Sequence, residues 1–128
     1  MKAMLDTSTF FMVITNDSRL GAAVRDIYLH PDNDIFISMA VLWELAIKTE
    51  LGKLQLGEPL ADFIRHHIRG NDIKIMNIDL PHILALDQIP ASITNPFTRL
   101  ILSQCICENI PLLGANAEYD NCPVTKIW

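Results

Sequence analysis

The stretch Lys2-Ala3-Met4-Leu5-Asp6-Thr7-Ser8, followed by Phe10-Phe11-Met12-Val13-Ile14, decides how the chain is read. Four mostly apolar residues predict a buried strand, and a carboxylate stands where that strand stops. Small hydroxyl residues and an apolar run then open a helix. In an open parallel sheet, ligands bind beyond the carboxyl ends of the strands. An aspartate at that place either caps the following helix or holds a cation beside it.

Working outward, the next elements alternate in kind. Asn16-Asp17-Ser18 reads as a turn and cap, and Arg19 to His30 spaces Leu20, Ala23, Val24, Ile27 and Tyr28 as one helical face. Pro31-Asp32-Asn33-Asp34 breaks that helix, and Ile35-Phe36-Ile37 suits a second buried strand. Ser38 is placed to cap a helix from Met39 to about Leu51, closed by Gly52. Glu58-Pro59 starts a helix with Leu60, Phe63, Ile64 and Ile68 as its apolar positions. Ile73 to Ile78 predicts a third strand, Pro81 to Leu86 a short helix, and Pro96 to Glu108 a long one. Ile110 to Leu113 is the expected fourth strand and Val124 to Trp128 the candidate fifth. Strands alternating with helices imply crossover units and a parallel sheet between helical layers. The expectation is one α/β domain over residues 1–128, with four to five parallel strands.

Composition narrows the classes. At 128 residues and 50% hydrophobic, the chain is long enough for a core and too apolar for a disordered tail. No apolar run approaches the roughly 20 residues of a membrane span, and no leader pattern is visible, so a cytoplasmic location is expected. A net charge of −5 argues against nucleic-acid binding through overall basicity, though not against a local basic rim. Cys105, Cys107 and Cys122 form no CxxC pair, which suits a reducing compartment and core packing. His30, His66, His67 and His82 include no i, i+4 pair for zinc, and His66 and His67 read as a solvated helix face. No Gly-x-Ser-x-Gly elbow or glycine-rich phosphate loop is present.

Three polar features break the apolar pattern. Glu44 lies within Met39-Ala40-Val41-Leu42-Trp43-Glu44-Leu45-Ala46-Ile47, where every neighbour is apolar. A buried carboxylate needs a partner. Either Lys48, four residues on, supplies an ion pair, or Glu44 points at the same site as Asp6. Thr94-Asn95-Pro96-Phe97-Thr98-Arg99 has the grammar of a helix start, with Asn at the cap and Pro at the first position. It also sets Asn95, Thr98 and Arg99 where backbone N–H groups attract anions. Asn116 follows a strand, as a turn or helix cap or as part of the same site.

The opening MLDT, the segment VLWELAIKTELGKL, the helix NPFTRLILSQ and the turn GAN together resemble the PIN-domain family, nearest to the VapC-type toxins of bacterial toxin–antitoxin pairs. The likeness runs over nearly the whole chain. It implies an α/β/α sandwich, a magnesium-dependent endoribonuclease (manganese being the alternative ion), a small antitoxin partner and a homodimer. By that resemblance Asp6 and Glu44 are the first two acids, both metal ligands. The family's Asp-Pro-Phe-Asp-Arg motif reads Asn95-Pro96-Phe97-Thr98-Arg99 here, so Thr98 stands at the third carboxylate, as a remaining metal contact, and Asn95 at an auxiliary one. The last acid, usually in a Thr-Ala-Asp or Thr-Arg-Asn turn, is Asn116 in Gly114-Ala115-Asn116. Thr7, Lys48 and Arg99 are the expected substrate contacts.

Asn offers a neutral oxygen and Thr a hydroxyl, but neither brings charge to a hard cation. Weak magnesium binding and weakened cleavage are therefore expected, unless Glu118 or Asp120 swings inward to restore an acid; Asp120 otherwise suits capping of the turn at Asn121-Cys122-Pro123. The alternative is an inactive PIN-like domain that only binds a protein partner or RNA. An antitoxin segment would lie across the helices within 14–28 and 59–68.

Overall fold

The computed structural model describes all 128 residues. Its five strands form one parallel sheet in the order β3-β2-β1-β4-β5, where β1 is Lys2–Leu5, β2 Asp34–Ser38, β3 Lys74–Met76, β4 Leu112–Leu113 and β5 Lys126–Ile127. In register, Met4 faces Phe36 on one side and Leu112 on the other, so β1 is the centre of the sheet. Ala3, Met4, Leu5, Ile37, Leu112 and Leu113 are fully buried, as strands covered on both faces require. The chain moves outward from β1 to β2 to β3, then returns past β1 to build β4 and β5. With right-handed crossovers, that reversal sends the connections before and after it to opposite faces. It also opens a crevice between the carboxyl ends of β1 and β4, the place where such sheets bind ligands.

The helices are α1 (Thr7–Ile14), α2 (Ala22–Leu29), α3 (Met39–Glu50), α4 (Leu60–Phe63), α5 (Leu80–Leu84) and α6 (Pro96–Glu108). Their starts follow from side-chain caps. Ser38 Oγ accepts from Ala40 N–H at 3.0 Å, and Asn95 Oδ1 accepts from Phe97 and Thr98 N–H at 2.9 and 3.2 Å. Asn109 ends α6 in the left-handed region, and Gly52 does the same just after α3, at φ +71°. Phe10 of α1 meets Phe63 of α4 edge-on, their ring centres 6.2 Å apart.

Several expected boundaries moved. α1 begins at Thr7 and not at Phe10, because Asp6 itself caps it. α2 begins at Ala22 and not at Arg19: Asn16 takes a positive φ of 50°, and Asp17 turns back to accept from Arg19 N–H at 2.9 Å. That local turn consumes the residues up to Gly21. The fourth helix does not stay α-helical to Ile68; it passes into a π turn at Ile64–Ile68 and a 3-10 turn at Arg69–Asn71. β4 is shorter than expected, with only the Pro111 carbonyl engaging β1 before it, at 3.0 Å to Met4 N–H. No helix is long and apolar enough to cross a membrane.

Candidate active site

Asp6 leaves β1 in extended conformation and is 5% exposed. Its Oδ1 accepts from Thr9 N–H at 2.8 Å, which caps α1, and its Oδ2 accepts from the Tyr119 hydroxyl at 2.8 Å. The capping reading of Asp6 therefore holds, and the same carboxylate lines the crevice. Gly114, the residue after β4, explains the close approach. A Cβ there would lie 2.5 Å from Asp6 Oδ2 and 3.0 Å from Tyr119 Cε2. Only a residue without a side chain lets the end of β4 run against that carboxylate.

Glu44 is also 5% exposed, held inward by α3 among Val41, Leu42 and Leu45. Its Oε2 pairs with Lys48 Nζ at 3.0 Å, and its Oε1 accepts from the Thr7 hydroxyl at 3.1 Å. The ion pair and the convergence on Asp6 are again both real, because Thr7 directly follows Asp6. Together these side chains line a cleft of about 200 Å³ with Ser8, Asn95, Thr98, Ile101, Asn116 and Tyr119. Four separate chain segments thus meet at the point where the strand order reverses.

The neutral members of the cleft are already partly committed. Asn95 Oδ1 caps α6, and Asn116 Oδ1 accepts from Glu118 N–H at 2.9 Å. Both amides therefore turn their oxygens toward backbone, which leaves the Ser8 and Thr98 hydroxyls as the neutral oxygens with no such duty. Burial, and next the Asp6 charge, push the Tyr119 phenol far above its ordinary range. Tyr119 is accordingly a permanent donor to Asp6.

One expectation fails on geometry, and the open possibility of a replacement acid closes. Arg99 does not line the cleft. Its guanidinium donates to the carbonyls of Leu86, Ile89, Pro90 and Ile93 at 2.8–3.3 Å, closing the loop ahead of α6. A fourth position in the helix points it down that side and not toward a ligand. Nor do Glu118 and Asp120 line the cleft: Glu118 closes on Asn116, and Asp120 pairs with Lys126 at 2.7 Å in place of the expected cap. Tyr119 was missed because its contact spans 113 residues of sequence. The one available signal was an aromatic residue set among the polar residues of a turn.

A PIN domain family model matches residues 3–122. The chain belongs to the PIN domain family. Solved structures with the same fold as this PIN domain include two DNA-bound complexes. VapBC2 from Rickettsia felis, bound to a DNA fragment from its promoter, superposes with a TM-score of 0.73 at 20% identity over 99% of this chain and 98% of the other. DNA-bound VapBC from Salmonella typhimurium gives 0.74 at 20% identity over 99% and 97%. FitAcB from Neisseria gonorrhoeae gives 0.66 at 13% identity over 98% and 96%. No curated protein sequence matches the chain.

PIN domains imply a divalent metal, and the donor set of this one can be tested against that ion. No group of three or more His, Cys, Asp or Glu side chains is placed to hold a metal. Magnesium nevertheless binds through one or two carboxylates, completing its shell with waters and substrate phosphate. Asp6 and Glu44 meet that minimum, with the Thr98 hydroxyl beside them. Asp6, Glu44 and Thr98 are the residues that would hold one such ion, and no further carboxylate lines the cleft for a second.

Proposed function

We propose that this PIN domain is a VapC-like toxin that hydrolyses RNA phosphodiester bonds, weakly, with one magnesium or manganese ion held by Asp6, Glu44 and Thr98. The observation that carries the reading is the meeting of two buried carboxylates in one cleft at the sheet's switch point. A divalent ion there would acidify a water and stabilise charge on phosphate oxygens. Asp6 and Glu44 supply the negative charge. Tyr119 and Thr9 fix the Asp6 carboxylate in one orientation, and Thr7 does the same for Glu44. Asn95 presents its amide N–H groups to the substrate, since its oxygen caps α6, whereas Asn116 already donates one N–H to Glu118.

The partner we propose is a small antitoxin, and the assembly a homodimer. The likeness to structures of VapBC complexes supports the first. Five of the exposed large apolar side chains share two helices, Met39 and Trp43 on α3 and Leu80, Ile83 and Leu84 on α5; the others, Met1, Leu29, Leu51 and Trp128, are scattered, and none falls within 14–28 or 59–68. We therefore place partner contacts on α3 and α5. A second reading, binding without cleavage, is favoured by one observation: all four carboxylate oxygens of the cleft already accept from protein donors.

The deciding experiment is cleavage of a panel of structured RNAs by the purified chain under magnesium and manganese titration, with Asp6→Ala in parallel. Metal-dependent cleavage that vanishes in the variant supports the nuclease. A folded chain that binds RNA, cuts none of it at any metal concentration and still binds as Asp6→Ala supports the second reading.

A further inference from the structure

Of the four donors that occupy the cleft's carboxylates, three are neutral: the Thr9 amide, the Tyr119 hydroxyl and the Thr7 hydroxyl. Lys48 differs from them in charge and in freedom. Its side chain is 45% exposed while that of Glu44 is 6% exposed, so a buried carboxylate is tied to an ammonium that water can reach. The lysine stem has four rotatable carbons, and its head is a mobile point charge. A dication arriving between Asp6 and Glu44 must share Oε2 with that ammonium. The cleft carries two negative charges, and the positions that would add more hold Asn95, Thr98 and Asn116. It therefore lacks the charge to keep both cations on Glu44, and the one that can leave is Lys48.

We propose that Lys48 is a built-in cation that holds Glu44 until an RNA phosphate arrives. The ammonium then moves from Glu44 Oε2 to a phosphate oxygen, and Glu44 is released to the metal. The exchange rests on the proposed metal-dependent action on RNA. It moves no proton and forms no covalent bond: one ion pair is replaced by two, Lys48 with phosphate and Glu44 with metal. Metal and RNA then raise each other's affinity, as linkage requires.

The test is manganese binding by calorimetry to the full chain and to Lys48→Met and Lys48→Arg, each with and without a short 2′-O-methyl oligonucleotide. Without the oligonucleotide, Lys48→Met binds manganese about tenfold tighter than wild type, while Lys48→Arg, which keeps the charge, binds as wild type does. The oligonucleotide tightens manganese binding more in wild type than in Lys48→Met. Manganese also raises the unfolding midpoint more in Lys48→Met, whose Glu44 has lost its partner. If Lys48→Met does not fold, Lys48→Gln, which retains a donor without charge, makes the same comparison. Equal or weaker manganese binding by the neutral variant overturns the exchange and leaves the proposed nuclease standing. No manganese binding by any folded variant overturns both.

Discussion

Replacing Gly114 by alanine puts a methyl carbon 2.5 Å from Asp6 Oδ2 and 3.0 Å from both Asp6 Cγ and Tyr119 Cε2. Neither neighbour can yield cheaply. Asp6 and Tyr119 are each 5% exposed, and Asp6 is pinned at its other oxygen by Thr9 N–H. The methyl must therefore part Tyr119 from Asp6, whose hydrogen bond is 2.8 Å long and has an ionised acceptor. Overpacking in a tight interior costs about 1–3 kcal/mol, and losing a charge-assisted hydrogen bond about 1.5–3 kcal/mol. Because one displacement relieves part of the other, Gly114→Ala should lower unfolding free energy by about 2–4 kcal/mol. Urea denaturation is the assay, with an unchanged slope showing that the unfolded reference is the same. Tyr119→Phe should cost about 1–3 kcal/mol alone, and the double variant should fall short of the sum by about 1 kcal/mol. A Gly114→Ala chain within about 0.5 kcal/mol of wild type would refute the reasoning.

Arg99→Ala should destabilise by about 2–4 kcal/mol, since four carbonyls lose their donor, and Arg99→Lys should not rescue it because a point charge cannot span them; thermal unfolding checks the cost, and RNA affinity of the folded fraction should be unchanged. At alkaline pH, burial raises the folded-state Cys105 thiol and Tyr119 phenol above their ordinary 9.0 and 10.0. Their contribution is whole below those values and is lost as pH climbs past them, so stability should fall from about pH 9 upward, less steeply in Tyr119→Phe. A thiol reagent on the native chain should modify exposed Cys107 quickly, with buried Cys105 and Cys122 reacting only on unfolding.

The parts of this fold that could be read in the sequence are those decided within a few residues. α6 spans Pro96–Glu108 as expected because Asn95 and Pro96 fix its start locally. Ser38 and Gly52 bracket α3 for the same reason. The parallel sheet followed from alternation, and the candidate fifth strand, expected over Val124 to Trp128, forms over Lys126–Ile127 only. At Asp6 and Glu44 the structural readings hold, as helix cap and ion pair, and the same two side chains also line one cleft, which spacing along the chain could not show. Arg99 misled because a basic residue in the first turns of a helix looks like an anion contact until the preceding loop is seen folded beneath it. Tyr119 and the need for Gly114 were invisible because both arise from the packing of β4 against β1, over more than a hundred residues.

The central claim is that a PIN nuclease site survives here with its acid set reduced to Asp6 and Glu44. Thr98→Asp tests it most directly, since an aspartate in the first turn of α6 also suits the helix dipole and should fold. RNA cleavage would be followed against manganese concentration for wild type and Thr98→Asp together. Both should cleave in a metal-dependent way, with the variant reaching half its maximum at about tenfold less metal. Superimposable metal dependences, or a variant that binds manganese and RNA yet cuts nothing, would contradict the claim.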